Sequence, residues 1–146
     1  MRGQVLTAPG GFTVLDDSYN AAPDSMRAAL AVLAELPATR RWAVLGDMRE
    51  LGDAAVEQHL ALGREVAATG IAGLVTVGEL GRYIGEGARE ADLATVVETE
   101  SNAAALAALL ARVAPGDAVL VKGSRVMQME DIVSALLAGE GGGADG

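Results

Sequence analysis

FTVLDDSYNAAPDSM, residues 12–26, runs from an apolar stretch through a short polar loop into a helix start, and its reading decides the fold. Phe12 to Asp16 reads as a strand that ends in two adjacent carboxylates, Asp16 and Asp17. Pro23 suits a first helical position, where its missing N–H costs no hydrogen bond, and Asp24 and Ser25 suit the first turn. Met26, Leu30, Leu33 and Leu36 then recur on one stripe until Pro37 stops the helix. A strand feeding a helix through a polar loop is the repeating unit of a parallel α/β sheet.

Working outward, short Val/Leu-rich runs alternate with Ala-rich segments of helical period along the rest of the chain. Strands are predicted near Gln4 to Thr7, Phe12 to Asp16, Trp42 to Gly46, Gly73 to Val77, Thr95 to Glu98 and Ala118 to Lys122. A second helix is expected after Asp53, read as its N-cap, with Gly70 closing it. Further helices are predicted over Gly78 to Ala91, Ser101 to Val113 and Met127 to Leu137. The fold class is therefore α/β: a Rossmann-like, doubly wound, mostly parallel sheet of about six strands with helices on both faces. One domain over 1–138 is expected, with the glycine-rich 139–146 as a disordered tail.

Composition narrows the function. No run of the 146 residues approaches the roughly 20 apolar residues of a membrane span, so a soluble cytoplasmic chain is expected. Cysteine is absent and histidine occurs once, which rules out a metal site built from those two residue types. A net charge of −9 opposes nonspecific binding to nucleic acid or anionic lipid. Lys122 is the single lysine and lies in no GxxxxGK[ST] pattern, so any ATP chemistry proceeds without that phosphate loop in this chain.

In such sheets ligands bind beyond the carboxyl ends of the strands, and the polar residues gather there. Side chains alternate along a strand, so at most one of Asp16 and Asp17 reaches a cleft directly. That carboxylate is suited to accept from a ribose diol, to coordinate Mg²⁺, to take a phosphoryl group, or simply to cap the turn. Ser18, Tyr19 and Asn20 add a hydroxyl, an aromatic face and an amide, which fit a base and sugar or an ordinary turn. VLGDMRELGD, residues 44–53, has a strand–loop–helix form that presents backbone N–H groups to an anion, or else a tight turn and a helix cap. Asp47 and the lone His59 belong to it. VKGSR, residues 121–125, puts Lys122, Ser124 and Arg125 against an acidic background, the best local site for a carboxylate or phosphate. GRYIGEG, residues 81–87, follows no strand in the register a phosphate-binding glycine loop needs.

Together these motifs resemble the C-terminal domain of the Mur ligase family. The carriers are Arg2, DDSYNAAPDSM, VLGDMRELG with His59 and Gly63, and VLVKGSR followed by MEDIV. The resemblance implies a three-domain, ATP-dependent amide ligase of peptidoglycan synthesis, whose N-terminal and central domains lie outside this chain. Its partners would be D-alanyl-D-alanine, UDP-N-acetylmuramoyl-tripeptide and those two domains. ATP and Mg²⁺ would be held mainly by the central domain, and this chain alone is expected to be inactive. Arg2 and Asp17 match the family's catalytic, nucleotide-contacting positions, with Tyr19 and Asn20 beside them. Asp47, His59, Lys122, Ser124 and Arg125 are candidates for the dipeptide pocket, whose carboxylate needs a cation. Ala22 stands where the family usually has a second asparagine. Two other readings share the fold: a phosphoacceptor receiver built on Asp16, Asp17, Asp47 and Lys122, and a noncatalytic Rossmann-type binding module.

Overall fold

The computed structural model describes residues 3–139, so Arg2 and most of the glycine-rich tail lie outside the described residues. The elements run β1 (Gln4–Thr7), β2 (Thr13–Asp16), α1 (Pro23–Glu35), β3 (Arg41–Gly46), α2 (Ala55–Ala67), β4 (Gly73–Val77), α3 (Gly81–Glu90), β5 (Val96–Thr99), α4 (Asn102–Leu110), β6 (Ala118–Lys122) and α5 (Glu130–Ala138). They form one six-stranded sheet in the order β1-β2-β6-β3-β4-β5. Only β1 is antiparallel, pairing with β2 in register Val5 to Leu15. The other neighbours are parallel, with Val14 opposite Val119 and Trp42 opposite Val119 across β6.

Period-two alternation sorts the strand side chains into two cores. Leu15, Ala43, Leu45, Leu74 and Leu120 face α1, α2 and α3, meeting Met26, Leu30, Leu33, Leu62 and Ile84. Val14, Trp42, Val44, Val75, Val119 and Val121 face α4 and α5, meeting Leu109, Ile132, Val133 and Leu136. Both faces of β3 and β6 are buried, as their unbroken apolar sequences require. On the first face α2 and α3 approach backbone to backbone, because a Cβ on Gly63 would collide with the Ile84 carbonyl and one on Gly87 with that of Leu60.

The boundaries differ from expectation where backbone turns intervene. Asp53 is not the cap of α2: it sits in a 3₁₀ turn over Gly52–Ala54, and Ala54 is the cap residue, with no side-chain bond. The Ala54 N–H instead bonds Leu51 O at 3.1 Å, so a tightened turn replaces the side-chain cap. α3 begins three residues later than expected, since Gly78 has φ 103° and cannot be helical. α5 is delayed by a 3₁₀ turn at Arg125–Met127 and a left-handed Gln128. Among the described residues no helix is long and apolar enough to cross a membrane.

Candidate functional site

The helices that follow β2 and β6 cover opposite faces of the sheet, so the chain divides at the carboxyl ends of these two neighbouring strands. The parallel ladder continues one residue past β2, with Asp17 N–H donating to Val121 O at 3.1 Å. Asp16 and Asp17 accordingly diverge. Asp16 Oδ1 accepts the Ser18 N–H (3.1 Å) and hydroxyl (2.6 Å), closing a local turn. Asp17 pairs instead with Lys122, Nζ to Oδ2 at 3.0 Å, and the same ammonium donates to Asn20 O at 2.8 Å.

Asp17, Tyr19, Asn20 and Lys122 line a cavity of about 670 Å³ between β1 and α1, with Val5, Leu15 and Val32 among its apolar walls. A space of about 250 Å³ beside it is bounded by Asp16, Ser18, Arg125 and Glu130, and Tyr19 borders both. Arg125 lies over the Tyr19 ring, 4.9 Å from its centroid, and donates to Tyr19 Oη at 2.9 Å. Tyr19 thus joins the loop after β2 to the loop after β6 while remaining half exposed. Ala22 is the N-cap of α1, where alanine offers no acceptor; Ser25 Oγ takes the Ala22 N–H at 2.9 Å as a partial substitute.

The loop after β3 turns inward. Asp47 is almost wholly buried, and its Oδ1 accepts the N–H groups of Leu80 (3.0 Å) and Gly81 (2.7 Å). The anion at the start of α3 is therefore the protein's own carboxylate. One oxygen of this nearly buried carboxylate is thus committed to the start of α3, which counts against the receiver reading. The Asp47 carbonyl also accepts Ser124 N–H at 2.9 Å, tying this loop to KGSR. His59 is fully buried: Nε2 accepts Met48 N–H at 2.9 Å, while Nδ1 lies 2.6 Å from Ala55 O. A carbonyl partner requires the proton on Nδ1, so the ring is neutral with both nitrogens engaged. Burial pushes its pKa down, opposed in part by the Ala55 carbonyl and by Asp47.

Of the residues singled out in the sequence, Asp17, Tyr19, Asn20 and Lys122 meet at one cavity, while Arg125 lines the smaller space beside it. Asp47 and His59 lie apart, committed to loop geometry, and Ser124 is buried with no partner for its hydroxyl among the described residues. Arg2 lies outside the described residues. One contributor escaped sequence reading: Asn102 Nδ2 donates to Met127 O (3.0 Å) and Gln128 O (3.1 Å), bracing the turn after KGSR. Its position just after the Ser101 cap was the available signal, but pairing across 25 residues is not visible in spacing.

Residues 1–125 match the family described as Mur ligase, glutamate ligase domain. The chain belongs to the Mur ligase family. It is 44% identical, over 94% of its length, to the UDP-N-acetylmuramoyl-tripeptide–D-alanyl-D-alanine ligase of Mycobacterium tuberculosis, and 34% identical over 94% to that of Bacillus subtilis. These alignments span 31% and 30% of the two relatives, so this Mur ligase domain is about a third of their length. Among solved structures, MurF from Acinetobacter baumannii superposes with a TM-score of 0.83 at 31% identity, covering 92% of this chain and 30% of that one. MurF from Thermotoga maritima, solved with ADP, superposes at 0.78 with 25% identity, covering 92% of this chain and 30% of that one.

Proposed function

We propose that this Mur ligase domain is the nucleotide- and acceptor-facing part of an ATP-dependent ligase that joins D-alanyl-D-alanine to UDP-N-acetylmuramoyl-tripeptide in cytoplasmic peptidoglycan synthesis. The reading is carried by the convergence of Asp17, Tyr19 and Asn20 on one cavity at the carboxyl edge of the sheet. A carboxylate to accept from ribose hydroxyls, an aromatic face and an amide are what a nucleoside needs from a protein surface. ATP supplies the phosphoryl group that activates the tripeptide's terminal carboxylate. The dipeptide amine then attacks the acyl carbon, and phosphate leaves as the amide forms.

Each half of that chemistry has an assigned side here. Asp17, Tyr19 and Asn20 bind and orient the nucleotide. Arg2, assigned by its match to the family arginine, neutralises charge as the phosphoryl group moves. Arg125, exposed beside Tyr19, is the cation for the dipeptide carboxylate, with Ser124 next to it. Asp47 and His59 serve this half indirectly, by fixing the loop whose carbonyl holds Ser124. Mg²⁺ belongs to the central domain in this reading. Among the described residues no three His, Cys, Asp or Glu side chains are grouped to hold a metal.

The test grafts this domain onto the N-terminal and central domains of the Mycobacterium tuberculosis relative and assays ATP-dependent consumption of D-alanyl-D-alanine. Activity in the chimera, with loss in Arg2→Ala and Asp17→Ala and none from the isolated domain, is the expected result. A folded chimera that binds ADP yet never forms the amide would overturn the reading.

A further inference from the structure

Lys122, like Arg125, was a candidate to meet an incoming carboxylate, and its surroundings bear on that role. Lys122 is 3% exposed, with its stem inside β6 at the centre of the sheet. Its ammonium forms an ion pair with Asp17 Oδ2 at 3.0 Å and donates a hydrogen bond to the Asn20 carbonyl at 2.8 Å. To reach an acceptor carboxylate it would have to abandon a partly buried aspartate and a backbone carbonyl. Unpairing buried charge is disfavoured far more than leaving the exposed Arg125 to do that job.

We propose that Lys122 is a positioning residue for the nucleotide side, holding Asp17 and the Asn20 carbonyl in binding geometry, and that it does not itself hold the acceptor. The inference rests on the nucleotide reading of the cavity given above. The ion pair brings the ammonium to Asp17 Oδ2, and among the described residues no hydrogen bond reaches Asp17 Oδ1. Holding the carboxylate through this pair fixes how Asp17 meets the cavity it lines. The bond to Asn20 O fixes the loop that presents Tyr19 and the Asn20 amide, so one ammonium sets both the carboxylate and the loop. Lysine suits this role because its compact charge serves two acceptors lying in different directions, whereas a guanidinium fork favours one planar partner.

The experiment uses the chimera described above, with Lys122→Met, Asp17→Asn and the double variant. Lys122→Met is expected to weaken ADP binding about tenfold in calorimetry, the size of one lost charge-assisted contact. The ATP KM should rise in parallel, while the dipeptide KM stays within about twofold. Because Lys122 acts in part through Asp17, the double variant should lose less ADP affinity than the sum of the two single losses. A raised dipeptide KM with unchanged ADP affinity would overturn the proposal, as would additive losses in the double variant. Should Lys122→Met fail to fold, Lys122→Arg and the uncharged Asp17→Asn/Lys122→Met pair carry the same comparison. A parent chimera that binds no ADP overturns the nucleotide reading along with this one, whereas a binding parent with an indifferent Lys122→Met overturns this one alone.

Discussion

Replacing His59 by leucine tests the structural reading of the loop after β3. Leucine fills a similar volume but deletes the acceptor for Met48 N–H, leaving a buried amide without a partner. An orphaned buried donor costs about 1–3 kcal/mol, and the imperfect shape match adds to it, so a loss of roughly 2–3 kcal/mol is expected. That leaves a domain of ordinary stability folded. The wild type also acquires a pH signature from the depressed pKa of His59. The unfolded imidazole takes up its proton near the ordinary value of 6.5, while the buried ring resists. Below that pH the unfolded state binds more protons, so wild-type stability declines as pH falls from about 6.5 toward the folded pKa. In His59→Leu that decline should vanish. Urea unfolding followed by the single tryptophan, Trp42, at pH 7.5 and 5.5 measures both effects. Equal stability at pH 7.5, or an undiminished pH slope in the variant, would refute the assignment of His59 as a neutral internal brace.

Gly63→Ala should destabilise the domain by about 2 kcal/mol or more in urea, since a backbone carbonyl in the path cannot step aside and overpacking outweighs the gain in helix propensity. Ala22→Asn supplies the missing cap acceptor of α1 and should stabilise by about 1 kcal/mol, read as a raised Tm. Asp47→Ala should cost roughly 2–4 kcal/mol by stranding the Leu80 and Gly81 amides, while Asp47→Asn, which keeps an acceptor, should cost distinctly less. Equal losses in the two Asp47 variants would count against the capping role.

Element types were legible because strands β3, β4 and β6 are short apolar runs and the stripe of Met26, Leu30 and Leu33 has helical period. Pro23 marked the first residue of α1 correctly. Strand order was not legible, since nothing local to Ala118–Lys122 says that it lies between β2 and β3. That gap explains the different fates of the candidate residues. Asp17, Tyr19 and Asn20 lie in one four-residue stretch, so their shared cavity follows from one loop. Lys122 looked available only because its partners, Asp17 and Asn20, stand a hundred residues away in sequence. Asp47 and His59 have polar side chains next to a ligand-binding edge, and spacing alone could not tell inward from outward.

The position of β6 also bears on how the domain is made. It is the last strand to leave the ribosome, yet it separates β2 from β3 in the finished sheet. A nascent chain ending before Ala118 holds a β1–β2 hairpin and a β3–β4–β5 sheet with no hydrogen-bonded seam between them. Synthesis proceeds from the N-terminus, so these two pieces must wait for a strand that inserts between both. The wait also leaves the β2 and β3 edges unpaired. The ammonium that pairs with Asp17 arrives on that same strand, so a chain ending before it carries the carboxylate without its ion-pair partner.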